Sequence, residues 1–258
     1  MSSTCSGLTN DELVSALVRK KLLKSPTVIA AMRRIDRRWF IPSAFSAVDA
    51  YRDSPLYIGH GATISAPHMH AIALEVMAPY IIGEHRLSSS TDSDIRILDI
   101  GSGSGYLTAV MADICSTHNA ANDRPWKVIG LEHVKELQNS SLSAIKKHFP
   151  SWIERGNVEM ICGDGRNLEK ALSSEVVAGR PLTFDVIHVG AAIPTTPSVL
   201  LNFLKLNSCL VVPVGAQHET QRLMVFCKDQ QGKVTQETNC LVSFIPLTSI
   251  DDQLGSLR

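Results

Sequence analysis

Three acidic residues each stand where a short apolar run gives way to polar chain, a placement suited to gripping a polar ligand. The run Ile95-Arg-Ile-Leu-Asp99-Ile100 leads into Gly101-Ser102-Gly103-Ser104-Gly105-Tyr106-Leu107, after which a helical pattern begins. Glycines spaced by two let the backbone take positive φ and approach a ligand closely. A helix starting there aims free N–H groups and a positive dipole end at whatever fills the turn. Glu132-His133 closes the run Lys127 to Leu131, and a carboxylate at that point can accept both hydroxyls of a ribose. Gly163-Asp164-Gly165 follows the run 158–162, and Asp164 can accept from an adenine amino group. Each acid alone would suit a helix N-cap equally well. Three in step with a glycine loop make a nucleoside cradle. The dinucleotide fingerprint needs glycine at position 106, where Tyr106 stands, so a nicotinamide oxidoreductase is disfavoured.

The elements needed to position these residues are legible as alternating short apolar runs and amphipathic segments. Strands are expected at about 95–100, 127–131, 158–162, 184–189 and 208–214, with helical segments at about 105–116, 133–148, 167–173 and 196–205. That alternation predicts an α/β fold built on a doubly wound, mostly parallel sheet. Leu223 to Cys227 and Leu241 to Ile245 have no helix between them and predict an antiparallel hairpin at the sheet's end. Upstream, Thr9-Asn-Asp-Glu12 has the capping-box form and Ser25-Pro26 opens a second helix. Arg33, Arg34, Arg37 and Arg38 read as a solvated helix face. From Tyr51 to about residue 66 the chain reads as a long loop rich in glycine and hydroxyls, a candidate lid, before a helix from about Pro67 to Met77. Ser65 precedes that helix, so its hydroxyl can either cap the helix or meet a ligand. Residues 88–94 and 116–125 read as surface loops. One domain is expected over 1–258, with a helical and loop region at 1–80, a binding core at 95–215 and strands and tail at 216–258.

Composition narrows the function. Lysine plus arginine equals aspartate plus glutamate, 25 each, so no basic excess points to nucleic acid or an anionic membrane. Six cysteines show no C-x-x-C pair, several lie in apolar runs, and residues 1–10 are polar. These features fit buried thiols in a reducing, cytoplasmic setting. No apolar run reaches the roughly 20 residues that span a bilayer. His68 and His70 are two apart on a predicted helix and do not face each other. No Cys–His spacing suggests zinc, so no metal is expected.

A set of segments then narrows the reading. Tyr51, Asp53-Ser54-Pro55, Ile58-Gly59, Thr63-Ile-Ser-Ala-Pro-His-Met-His70, Leu74-Glu75, the glycine loop, Gly163-Asp-Gly-Arg166, His188-Val-Gly-Ala191, Pro213-Val-Gly215 and Pro246-Leu-Thr248 run through nearly the whole chain. In them the chain resembles the protein-L-isoaspartate O-methyltransferase family, a class I S-adenosylmethionine-dependent methyltransferase group with a Rossmann-like fold. The resemblance implies methyl transfer from S-adenosyl-L-methionine, leaving S-adenosyl-L-homocysteine, to the free carboxylate of isoaspartyl residues in proteins and peptides, by a monomer. It implies Ser65 as the catalytic position. It also implies cofactor contacts from Ala62, Thr63, Ile64, Ser65, His70, Ser104, Glu132, His133, Asp164, Gly165, Thr248 and Gln253, beside Asp99 and Gly101 to Gly105 of the loop. A carboxylate acceptor is already ionised at neutral pH and needs no general base, consistent with the lack of a Ser-His-Asp pattern. The chain departs from the family in three places. Leu206-Asn207-Ser208 stands where Pro-Gly-Gly is usual, Glu132 where many members have aspartate, and Leu257-Arg258 ends the chain without an aromatic-basic tail. The alternatives are a class I methyltransferase for a small molecule or nucleic acid, and a non-enzymatic module that binds S-adenosylmethionine.

Overall fold

A computed structural model describes residues 5–85, 94–120, 124–176 and 181–255. The chain opens with α1 (Asn10–Arg19) and α2 (Pro26–Arg34). Thr9 Oγ1 accepts from Glu12 N at 3.2 Å and starts the first, and the Ser25 side chain accepts from Val28 N to start the second. A short α3 (Ala47–Ala50) follows, then β1 (Leu56–Gly59) and β2 (Ala62–Ile64), then α4 (Pro67–Ile81). The two strands pair antiparallel, so the expected 51–66 loop is partly a hairpin. Its strands are too short to show an alternating pattern in sequence. α4 runs four residues past Met77, because Pro79 in the last turn forfeits only one helical bond and Ala78 and Ile81 are buried.

The remainder is β3 (Ile95–Ile100), α5 (Tyr106–Ala120), β4 (Trp126–Glu132), α6 (Lys135–His148), α7 (Pro150–Glu154), β5 (Val158–Cys162), α8 (Leu168–Ala171), β6 (Phe184–Val189), α9 (Ser198–Leu201), β7 (Leu204–Val214), β8 (Gln221–Lys228), β9 (Val234–Val242) and α10 (Ile250–Gly255). Among the described residues, seven strands form one sheet in the order β5-β4-β3-β6-β7-β8-β9. Pairs from β5 to β7 are parallel and the last two are antiparallel. This is the Rossmann-like doubly wound architecture with a terminal hairpin. The strand order reverses beside β3, and that switch point opens a crevice at the carboxyl ends of the strands.

β3 is buried on both faces, so its run is apolar apart from Arg96 and Asp99. Ile95 and Ile97 join a cluster with Leu13, Val28, Met32, Leu74, Val110 and Met111. Leu98 and Ile100 join Leu131, Leu168, Ile187 and Leu200 on the other face. The N-terminal helices therefore share the core of the sheet.

Several boundaries differ from the sequence expectation. The helix expected at 196–205 is only Ser198–Leu201, since Leu204 already pairs with Phe184 as a buried strand residue. Asn207 takes the left-handed φ of 54° within β7, where asparagine is tolerated. β9 starts at Val234, seven residues before the expected run, because a turn held by the Asp229 carboxylate sets Val234 against Lys228. Residues 116–120 belong to α5; of the two expected surface loops, 88–93 and 121–123 lie outside the described residues, as do Leu257 and Arg258.

Arg33, Arg34 and Arg38 are exposed, as expected of a solvated cluster, and Arg37 is the exception. Arg37 is fully buried, and Arg34 Nε donates to both Asp113 oxygens at 3.1 and 3.0 Å. Burial lowers Arg37 to about 10, so it stays cationic at neutral pH.

Gly105 packs closely against α6, with φ +80° and a pro-Cβ position 2.8 Å from Ser141 Cβ. Gly105→Ala should cost about 2 kcal/mol from left-handed strain and collision with α6. The measurement is a urea melt, and an unchanged midpoint would contradict this packing.

Candidate active site

The crevice at the switch point is a narrow slot. Its walls are Ala62 and Thr63 of β2, Gly101 and Gly103 of the loop, Glu132 and His133 after β4, Gly163 and Gly165 after β5, Gly190 after β6, and 245–248 with Gln253. A Cβ at Gly101 would meet nothing nearer than the Gly190 backbone at 3.9 Å, across the slot.

Glu132 is buried, and its carboxylate closes the loop. Oε2 accepts from Gly103 N at 2.9 Å and Oε1 from Val134 N at 2.9 Å. Each oxygen has a second lone pair, so capacity for ribose hydroxyls remains. Gln253 reaches across the opening: Nε2 donates to the His60 carbonyl at 2.8 Å, while Oε1 faces His133 Nε2 at 2.9 Å. An amide oxygen only accepts, so His133 carries its proton on Nε2.

Other expected residues lie behind the walls. Asp99 is buried and both oxygens are taken, Oδ1 by His188 Nδ1 at 2.7 Å and Oδ2 by Thr108 Oγ1 at 2.6 Å. It fixes the loop to α5 and β6 and does not line the slot. His70 is buried too: Arg37 Nη1 lies 3.4 Å from its Nδ1 and the Tyr106 ring 5.0 Å away. Burial pushes its imidazole well below the ordinary value, so it is neutral. Ile64 and Ser102 are buried, and Ser102 Oγ has no partner among the described residues. Ser104 lines a separate cavity with Trp39 and His60. Asp164 pairs with Arg166, Oδ1 accepting from Nε at 3.0 Å, which holds its carboxyl below the usual range.

Thr63, Gly190, Ile245 and Pro246 also line a second, larger cavity of about 820 Å³, so slot and groove share a wall. Ser65 stands in the groove. It does not cap α4: the N-cap is Ala66, without a side-chain bond, and Ser65 Oγ has no partner among the described residues. Asp53 does the capping from a distance, its Oδ1 accepting from His68 N at 3.0 Å and lying 2.8 Å from His68 Nδ1. The Asp53–His68 pair and Gly190 were missing from the sequence reading as site features. Asp53 and His68 did belong to segments that carried the resemblance, but fifteen residues of separation gave no local sign that they pair.

Against known proteins, the family model described as Protein-L-isoaspartate(D-aspartate) O-methyltransferase (PCMT) matches residues 8–252. The chain belongs to that family. A protein-L-isoaspartate O-methyltransferase of Caenorhabditis elegans is 35% identical over 255 residues, covering 98% of each chain. Protein-L-isoaspartate O-methyltransferase 1 of Arabidopsis thaliana is 35% identical over 246 residues, 95% of this chain and 94% of that one. A Plasmodium falciparum crystal structure of a beta-aspartate methyltransferase (PCMT), in complex with S-adenosyl-L-homocysteine, superposes with a TM-score of 0.76 at 31% identity, covering 93% of this chain and 98% of that one.

The slot of this protein-L-isoaspartate O-methyltransferase family member fits an adenosine-bearing cofactor in its chemistry, with glycine walls, a buried carboxylate with spare lone pairs and, among the described residues, no lysine or arginine. Glu132→Ala should weaken S-adenosylhomocysteine binding more than about tenfold, by loss of a charged acceptor and of the loop's anchor. Gln253→Ala should weaken it only about threefold. Calorimetric titration checks both, and unchanged affinity for the Glu132 variant would remove it from the ribose role.

Proposed function

We propose that this protein transfers a methyl group from S-adenosyl-L-methionine to the free carboxylate of L-isoaspartyl, and also D-aspartyl, residues in damaged proteins and peptides, starting repair through a methyl ester and a succinimide. The observation that carries the reading is the unpartnered Ser65 hydroxyl in a groove that shares a wall with the nucleoside slot. Slot and groove thus offer a methyl donor and a peptide acceptor adjoining places.

The bound cofactor supplies a methyl group on a positively charged sulfonium. The chain's part is to hold and orient. Glu132 takes the ribose hydroxyls, with Ala62, Thr63, His133, Gly165, Thr248 and Gln253 as the walls. Asp164 is the adenine acceptor at the rim, and Ile64, His70, Asp99, Ser102, Ser104 and Gly105 shape the loop and its surroundings from behind. Ser65 donates to one oxygen of the acceptor carboxylate and leaves the other free for in-line attack. Such alignment, with reacting atoms about 3–3.5 Å apart, is the main source of rate when no base is required. Opposite charges cancel as the ester forms, so excluding water favours the step.

No helix among the described residues is long and apolar enough to cross a membrane. The balanced charge supports protein rather than nucleic-acid substrates. Six free cysteines, three of them buried, support a reducing, cytoplasmic setting. The shared core of the N-terminal helices and the sheet supports one domain over 1–258, and a monomer is what the family likeness implies.

Two results test the proposal. Labelled methyl should pass to a peptide with an isoaspartyl linkage, as a base-labile ester, and not to its aspartyl twin. Label on neither, with cofactor binding intact, would send the function to another acceptor. Ser65→Ala should lower kcat about a hundredfold while cofactor affinity changes less than about twofold. Equal loss of both would make Ser65 a shaping residue of the slot.

A further inference from the structure

Among the described residues, no lysine or arginine lines the groove that would receive an anionic carboxylate. The groups in it that can become cationic are His68 and His218, and its one acid is Glu219. His218 and Glu219 are exposed on the 215–219 loop, where solvent screens their fields. His68 is different, because the structure fixes its ring. Asp53, 10% exposed, meets both His68 N and His68 Nδ1 through Oδ1, while the imidazole is 38% exposed.

Burial works against the charge on Asp53, but its two hydrogen bonds to His68, with smaller help from the His68 charge and Cys5, together hold its carboxyl below the usual range. An ionised carboxylate only accepts, so Nδ1 is the donor in this pair. That leaves Nε2, which has no partner among the described residues. In the neutral ring Nε2 is a lone pair and repels a carboxylate; in the imidazolium it is an N–H donor bearing positive charge. We propose that His68, oriented by Asp53, is the binding residue that receives the substrate carboxylate beside Ser65, and that it does so only when protonated. The inference rests on the carboxyl-methylating role proposed above and adds its recognition element. The methyl ester product carries no charge, so the same group that draws the acid in does not retain the ester.

The hydrogen bond to Asp53 raises the His68 imidazole above its ordinary value, so more of it is charged at a given pH than of a free imidazole. The other titratable and charged groups around the pair are Cys5 beside Asp53, Arg37, His70, His218 and Glu219. Burial pushes the Cys5 thiol up and the His70 imidazole down, so both are neutral there, and Arg37 is charged throughout. The sign follows: His68 is charged below its raised value, and substrate affinity falls as pH rises through it.

The test is initial rates with an N-acetylated, histidine-free isoaspartyl peptide at saturating S-adenosylmethionine, from about pH 5.5 to 8.5, for wild type, H68Q, D53N and H218Q. Expected for wild type is a KM that rises about three- to tenfold across one titration. H68Q should hold the high KM at every pH with kcat within about twofold, D53N should move the rise to lower pH, and H218Q should match wild type. A KM profile kept in H68Q, a flat profile in H218Q, or a kcat loss in H68Q at unchanged KM would overturn the assignment. No transfer by wild type at any pH, with S-adenosylhomocysteine still bound, would overturn the methyltransferase reading itself, a result distinct from these.

Discussion

A single carboxylate ties two chain reversals together at the heart of this protein. Glu132 ends β4, yet its oxygens accept from Gly103 N in the loop after β3 and from Val134 N at the start of α6. Each is a charge-assisted bond to a backbone donor that would otherwise be left over at a helix start or tight turn, worth about 1.5–3 kcal/mol. The slot's shape follows from this: two neighbouring parallel strands are locked at their carboxyl ends, and the space between their loops becomes a fixed concavity. The same carboxylate keeps spare lone pairs facing that space. On the proposed reading, structural and ligand-holding work fall on one side chain.

Around that anchor, the parts that face ligand are braced from behind. Asp99 holds Thr108 and His188, coupling the loop to α5 and to β6. Arg37, His70 and Tyr106 stack beneath the N-terminus of α5. A buried guanidinium whose Nε and Nη2 have no partner among the described residues is an expensive element, and it sits where the N-terminal helices meet the sheet. On the other side of the shared wall, Asp53 supplies the cap that Ala66 cannot give α4. That arrangement leaves the Ser65 hydroxyl without structural duty.

The sheet was legible because parallel strands covered on both faces are mostly apolar, as β3 is apart from Arg96 and Asp99 and β6 apart from Asp185 and His188. The loop was legible because its glycines and acids stand at strand ends. Strands such as β9, exposed and polar along most of their length, and β1 with β2, only three or four residues long, carry no such mark. The direction in which Asp99 satisfies its oxygens, the burial of Arg37 and the pairing of Asp53 with His68 depend on contacts between distant segments. No local pattern could announce them. The importance of residues 63–70 came from likeness to a family, since periodicity alone shows only a turn and a helix.

The most direct measurement is a crystal structure of the protein with S-adenosylhomocysteine and an isoaspartyl peptide. The account predicts both ribose hydroxyls on Glu132 while its bond to Gly103 N persists, and the peptide carboxylate within hydrogen-bond distance of Ser65 Oγ across the wall at Thr63 and Gly190. Glu132 turned away from the loop, or the carboxylate bound apart from Ser65, would contradict it.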